Sequence, residues 1–183
     1  MKKALIIIDV QNDYFDNGGM ALVGMDYAAK NCQLLLEFFR ATQLPIFHIQ
    51  HFSAQIGATF FIPNTKGCDI HDCVKPRENE GLMTKHYPNA FRNTGLNESL
   101  QKAQVTELVV CGAMTHMCID TTVRAAFDFG YSCKLISDAC ATRDLEFEGA
   151  LINASEVHAA FMAALKGTFA KVLSTQYFLN GYG

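Results

Sequence analysis

Ala4-Leu-Ile-Ile-Ile8 is an uninterrupted apolar run near the start of the chain. A strand with one wet face alternates apolar and polar residues. A strand apolar at every position must be covered on both faces, as in a parallel sheet flanked by helices. Glu107-Leu-Val-Val-Cys111 has the same buried character, and Ile46–Ile49, Ser132–Ser137 and Thr168–Leu173 read as further strands. Between them lie patterns of helical period. Ala28, Cys32, Leu35 and Phe39 repeat within about Asp26–Arg40, and Pro45 closes that segment. A short helix is expected over Leu96–Gln104. Ile119, Val123, Ala126 and Phe127 mark another, stopped by Gly130. A long helix is expected from an N-cap at Asp144, with Glu146 and Glu148 in its first turn and Phe147, Leu151, Ala154, Val157, Phe161 and Leu165 on its apolar face. Strands alternating with helices imply an α/β fold, a three-layer sandwich with a mostly parallel central sheet of five to six strands and helices on both faces.

At 183 residues the chain reads as one domain spanning 1–183. Half of it is hydrophobic and its net charge is −3 with no block of like charges, so nothing resembles a nucleic-acid footprint. The first apolar run is too short for a signal-peptide core, and no stretch approaches the ~18 apolar residues of a membrane span. A cytoplasmic protein without nucleic-acid or membrane partners is the expectation. Seven cysteines, an odd number, then read as reduced thiols. Cys68-Asp-Ile-His-Asp-Cys73 lacks CxxC spacing and a second pair, so no metal is expected there. No Gly-x-Gly-x-x-Gly follows the first strand and no P-loop is present, so no nucleotide cofactor is implied.

Three residues carry chemistry by position. Asp9 directly follows a buried strand, where open α/β sheets place ligands; the alternative is a loop aspartate capping local N–H groups. Lys85, after a short apolar run and before aromatic residues and a proline, sits in a context that favours burial, and a buried ammonium needs a carboxylate such as Asp9. Cys118 lies in Gly112-Ala-Met-Thr-His-Met-Cys118, between a strand and a helix. Free amides and a helix dipole there favour thiolate and can hold an oxyanion. A small buried apolar cysteine is the other reading. Gln11, Phe15, His51, Tyr87, Phe91 and His116 are the candidates to line a substrate pocket, whereas His48 and His158 read as structural. Residues 52–81 lack a regular period, and a loop this long suggests a lid or a subunit contact; Phe60 and Phe61 packing on the chain's own core is the alternative.

Leu5-Ile-Ile-Ile-Asp-Val-Gln-Asn-Asp13, Lys85-His-Tyr-Pro-Asn-Ala-Phe91 and Val110-Cys-Gly-Ala-Met-Thr-His-Met-Cys118 together resemble the isochorismatase-like cysteine hydrolase superfamily, which includes nicotinamidases and N-carbamoylsarcosine amidase. Asp138-Ala-Cys-Ala-Thr142 adds to the likeness. The resemblance implies a catalytic triad of Asp9, Lys85 and Cys118, a cis peptide between Ala113 and Met114, and an oxyanion hole from the backbone amides of Met114 and Cys118. It implies a homo-oligomer acting on a small molecule. The nicotinamidase Asp-x-His metal motif is replaced here by His48-Ile-Gln-His-Phe-Ser53. The expected activity is hydrolysis of a C–N bond of amide type through a thioester. Vinyl-ether hydrolysis of an isochorismate-like substrate, with Cys118 a bystander, and a non-catalytic ligand-binding or redox-responsive protein are the alternatives.

Overall fold

The computed structural model describes residues 2–182; Met1 and Gly183, the ends of the single-domain reading, lie outside the described residues. Six strands form one parallel sheet: β1 (Lys3–Ile8), β2 (Ile46–His51), β3 (Gly81–Lys85), β4 (Glu107–Ala113), β5 (Ser132–Ala141) and β8 (Lys171–Leu173). Their spatial order is β3-β2-β1-β4-β5-β8. The order reverses direction between β1 and β4, and in such sheets a crevice opens at the carboxyl ends of the strands on either side of that point.

The apolar run of β1 serves both faces, because successive side chains point to opposite sides of a strand. Leu5 and Ile7 join one core with Leu35, Leu36 and Phe39 of helix α1 (Met25–Ala41). Ala4, Ile6 and Ile8 join the other. There they meet Leu96 and Leu100 of α2 (Leu96–Lys102), Val123 and Ala126 of α3 (Asp120–Asp128), and Met162 and Leu165 of α4 (Ala154–Leu165). Burying this apolar surface at roughly 25 cal/mol per Å² is the main force holding helices to sheet. No described helix is long and apolar enough to cross a membrane.

β1 and β4 approach closely at the crevice. Gly112, paired with Ile8, has φ +119°, and a Cβ there would lie 2.0 Å from the Ile8 carbonyl oxygen. Only glycine permits this contact.

Several boundaries differ from the sequence expectation. β2 extends to His51 and β5 to Ala141, because pairing with β3 and β4 continues past the apolar runs. The long helix does not begin at Asp144. Leu145–Phe147 (β6) and Ala150–Ile152 (β7) form an antiparallel hairpin, with Phe147 and Leu151 exposed. Its turn residues Glu148 and Gly149 both have positive φ, as a two-residue hairpin turn of type I′ requires. α4 starts after Asn153, whose capping box with Glu156 satisfies the first amides, and Asp144 Oδ1 accepts a 2.7 Å bond from the Ala154 amide. Within 52–81, Lys66–Cys68 and Asp72–Val74 are short 3-10 turns. Phe61 is buried against Tyr14, their ring centroids 4.6 Å apart, so that part of the loop packs on the chain's own core. Asp13 pins it there, accepting from the Phe61 amide at 2.6 Å and the Gly19 amide at 3.0 Å.

Candidate active site

The carboxyl ends of four adjacent strands converge on one ammonium group. Lys85, the last residue of β3, is fully buried; its Nζ lies 2.7 Å from Asp9 Oδ2, 2.8 Å from His51 Nδ1 and 3.2 Å from Cys118 Sγ. Sheet register brings these groups together. His51 ends β2 as the direct partner of Lys85, and Ile8, before Asp9, is paired with both Ile49 and Gly112. Asp9 itself has φ +53°, a sparsely populated conformation for a non-glycine residue. Such outliers concentrate at functional sites.

Two of these groups, His51 Nδ1 and Cys118 Sγ, accept hydrogen bonds from the ammonium, which can only donate. Neither Asp9 oxygen takes a hydrogen bond of ordinary geometry, so its contact with Lys85 is ionic. Burial raises the Asp9 carboxyl above its usual value, with Lys85 opposing the rise. For Lys85 burial pulls the other way, but the charges of Asp9 and Cys118 outweigh it and the ammonium is held. Burial, then the Asp9 charge, push the Cys118 thiol up to about 12 against the pull of Lys85.

Cys118 is therefore held toward the neutral thiol, which agrees with the small buried cysteine of the sequence reading and not with a dipole-stabilised thiolate. The physical reason is position: Cys118 is buried in a π-turn, Thr115–Ile119, that precedes α3. The Met114 carbonyl accepts the amides of Met117 and Ile119, on either side of Cys118. The peptide between Ala113 and Met114 is cis. Thr115 Oγ1 bonds Ala141 O at 3.2 Å and pairs with His158 Nδ1 at 3.0 Å, tying the turn to β5 and α4.

Asp9, His51 and Cys118 present ligand-type atoms within 4.8 Å of one another, a spacing that suits a metal ion. The Lys85 ammonium already sits among these three groups, and a divalent cation would have to displace it against its charge. The cluster is built around lysine. The two cysteines of the 68–73 loop diverge, Cys68 Sγ toward His51 O at 3.4 Å and Cys73 Sγ toward His71 Nδ1 at 3.0 Å.

Cys118 opens into a cavity of about 380 Å³. Of the expected lining residues, His51 lines it and the other five do not. Gln11 is fully buried as a clamp, donating to His51 O at 2.9 Å and Cys68 O at 2.7 Å and accepting from the His51 amide at 2.7 Å. Phe15 stacks on His71. Tyr87 turns outward beneath Arg92, whose guanidinium lies 3.5 Å from the ring centroid. Phe91 packs on Phe129 and Tyr131, and His116 bonds Thr142 Oγ1 at 2.6 Å. The actual walls include Tyr14, His86, Pro88, Met114 and Met117, closed by residues 53–60 of the long loop. His86 and Pro88 flank Tyr87 in sequence, so the 85–91 motif does reach the cavity, through the two neighbours of the expected residue. The other signal was Tyr14, an aromatic residue one position after Asp13.

The family model described as Isochorismatase domain matches residues 3–177. An uncharacterized isochorismatase family protein of Bacillus subtilis is 52% identical over 98% of this chain and all of its own length. Streptothricin hydrolase of Streptomyces noursei is 34% identical over 78% of this chain and 51% of its own. A solved isochorismatase-type protein from Oleispira antarctica superposes with a TM-score of 0.95 at 45% identity, covering 98% of this chain and 97% of that one. The chain belongs to the isochorismatase family of hydrolases.

Proposed function

We propose that the protein is a cysteine hydrolase that cleaves a C–N bond of amide type in a small molecule through a thioester on Cys118. The observation that carries this reading is the placement of Cys118 Sγ at the cavity, 3.2 Å from Lys85 Nζ and beside Asp9. Asp9 takes the thiol proton as sulfur attacks the carbonyl carbon. Its raised affinity for a proton suits it to this, since a general base works best near the operating pH. Lys85 keeps its charge and holds carboxylate and sulfur in place. The backbone amides of Met114 and Cys118 receive the oxyanion. Asp9 then returns the proton to the leaving nitrogen as the C–N bond breaks. Water attacks the thioester, giving its proton to Asp9, and the acid departs as sulfur regains a proton. Nicotinamidases and a ureidoacrylate amidohydrolase among the more distant relatives support a C–N bond as the target.

A panel of small amides, read by amine or ammonia release, tests this. Cys118→Ala is expected to lose turnover by about 10³-fold or more while remaining folded. Hydroxylamine added to the wild-type reaction should divert the thioester to a hydroxamate. Full turnover in Cys118→Ala removes the nucleophile.

A further inference from the structure

We infer that His51 is the polar anchor of the substrate pocket, held as the neutral Nε2–H tautomer, and that the pocket takes an uncharged substrate with a hydrogen-bond acceptor near the scissile carbonyl. The inference rests on the nucleophile assigned above and adds the class of molecule that nucleophile meets.

The tautomer follows from donor counting. The Lys85 ammonium has only donors, and its Nζ is 2.8 Å from His51 Nδ1. Nδ1 must therefore present its lone pair, which leaves the ring proton on Nε2. A second proton on the ring would face the ammonium, a like charge. Burial and Lys85 together hold the imidazole neutral, lowering it to about 3. The hydrogen bond of the ring to the protein is made by Nδ1, and His51 lines the cavity together with Cys118, which leaves Nε2 to a ligand. Gln11 fixes the ring's origin by bonding both the amide and the carbonyl of His51, at 2.7 and 2.9 Å. A buried glutamine committed to one backbone position restricts the direction in which His51 points.

Charge defines the rest. No Asp, Glu, Lys or Arg lines the cavity. Asp9 and Lys85 beneath it neutralise one another. Arg143 is exposed and reaches Tyr14 and His116 only through its field. The walls otherwise include Tyr14, Ile56, Phe60, Pro88, Met114 and Met117 with a few hydroxyl and amide groups, and His86, whose Nδ1 donates to the Phe52 carbonyl at 2.9 Å. A carboxylate or phosphate entering this space would lose its water and meet no cation, which is costly. A neutral amide loses little and gains the His51 donor. The dianionic isochorismate-like substrate of the vinyl-ether reading does not fit these walls.

Three alkylating probes test this on the full-length protein, with rates at Cys118 read by peptide mass spectrometry. Iodoacetamide is neutral and carries an acceptor carbonyl, iodoacetate is its anionic counterpart, and methyl methanethiosulfonate reports the thiol itself. Normalised to glutathione, iodoacetamide is expected to outpace iodoacetate at Cys118 by about tenfold or more, the cost of stripping water from an unpaired charge. His51→Leu removes a partner of the Lys85 ammonium and so acts on the thiol toward both probes, but it should slow iodoacetamide about tenfold more than the thiosulfonate, the worth of one hydrogen bond. His51→Gln, whose side-chain amide can place an N–H near Nε2, should restore most of the iodoacetamide rate. Equal normalised rates for the two acetate-derived probes overturn the uncharged pocket. Equal slowing of iodoacetamide and thiosulfonate in His51→Leu overturns the anchor, because it places the effect on the thiol. A wild-type Cys118 inert to all three probes overturns the nucleophile, and this inference with it.

Discussion

Lys85 and His51 are register partners at the ends of neighbouring strands, and their side chains meet with Nζ 2.8 Å from Nδ1. On its other side the same ammonium is 2.7 Å from Asp9 Oδ2, with both side chains fully buried. Charge and register are thus coupled: the strands must pair as they do for the ammonium to be neutralised.

Breaking that pair from one side leaves a buried charge uncompensated. Lys85→Met is expected to cost about 3–5 kcal/mol in urea unfolding. Asp9→Asn combined with Lys85→Met should cost clearly less than the sum of the two single variants, since neither charge then remains. Additive losses contradict a direct coupling.

Asp9→Asn separates thiol ionisation from turnover. The Asp9 charge pushes the Cys118 thiol up and Lys85 pulls it down. With the carboxylate gone burial still holds the thiol up but Lys85 pulls it down unopposed by that charge, so the rise of thiolate ultraviolet absorbance with pH should begin at lower pH than in wild type. Turnover should nevertheless fall by about 10²–10⁴-fold, because no group remains to carry the proton. A variant with more thiolate and undiminished turnover contradicts the role of Asp9 as base.

Away from the site, Glu80 ties α1 to β2. It accepts from Arg40 Nε at 2.7 Å and Nη2 at 2.9 Å, and its Oε2 pairs with His48 Nε2 at 2.9 Å. Burial opposes its ionisation, but the bonds from Arg40, the Arg77 amide and His48 win, lowering it from 4.5 to about 2. Unfolded chains then bind more protons than folded ones between those values. The stability Glu80 contributes is present above pH 4.5 and lost as pH falls toward 2. Glu80→Gln should flatten that part of the unfolding free energy against pH, and cost roughly 1.5–3 kcal/mol at neutral pH. An unchanged slope contradicts the assignment.

Gly112→Ala tests the close approach of β4 to β1. A Cβ 2.0 Å from Ile8 O cannot be absorbed by side-chain rotation, because the obstacle is backbone. The variant should lose about 1–3 kcal/mol or more and displace Asp9 relative to Cys118, so that activity falls further than stability alone explains. Wild-type stability contradicts the contact.

The sheet and the three clustered residues were legible because their signals are local. β1 and β4 are apolar at nearly every position, and Asp9, Lys85 and Cys118 each stand within a distinctive motif at or near a strand end. The hairpin before α4 is hidden in the sequence because Phe147, Leu151 and Ala154 repeat at helical spacing by coincidence. Glu148-Gly149 and the Asn153…Glu156 capping box were the contrary signals, and they decided the outcome. The pocket walls were the least legible part. Gln11, Phe15, Tyr87, Phe91 and His116 lie in the right motifs but point elsewhere, and side-chain direction depends on tertiary partners such as Arg92 under Tyr87 and Thr142 beside His116.

The most direct test of Cys118 as a nucleophile served by Asp9 is the native alkylation rate of all seven cysteines by iodoacetamide as a function of pH. Cys118 should react fastest near neutral pH, with a rate that falls on the acid side through a group above the ordinary aspartate value of 3.8. A Cys118 that reacts no faster than the half-exposed Cys73, and gains rate only as pH approaches the free ionisation of its own thiol at about 12, contradicts the account.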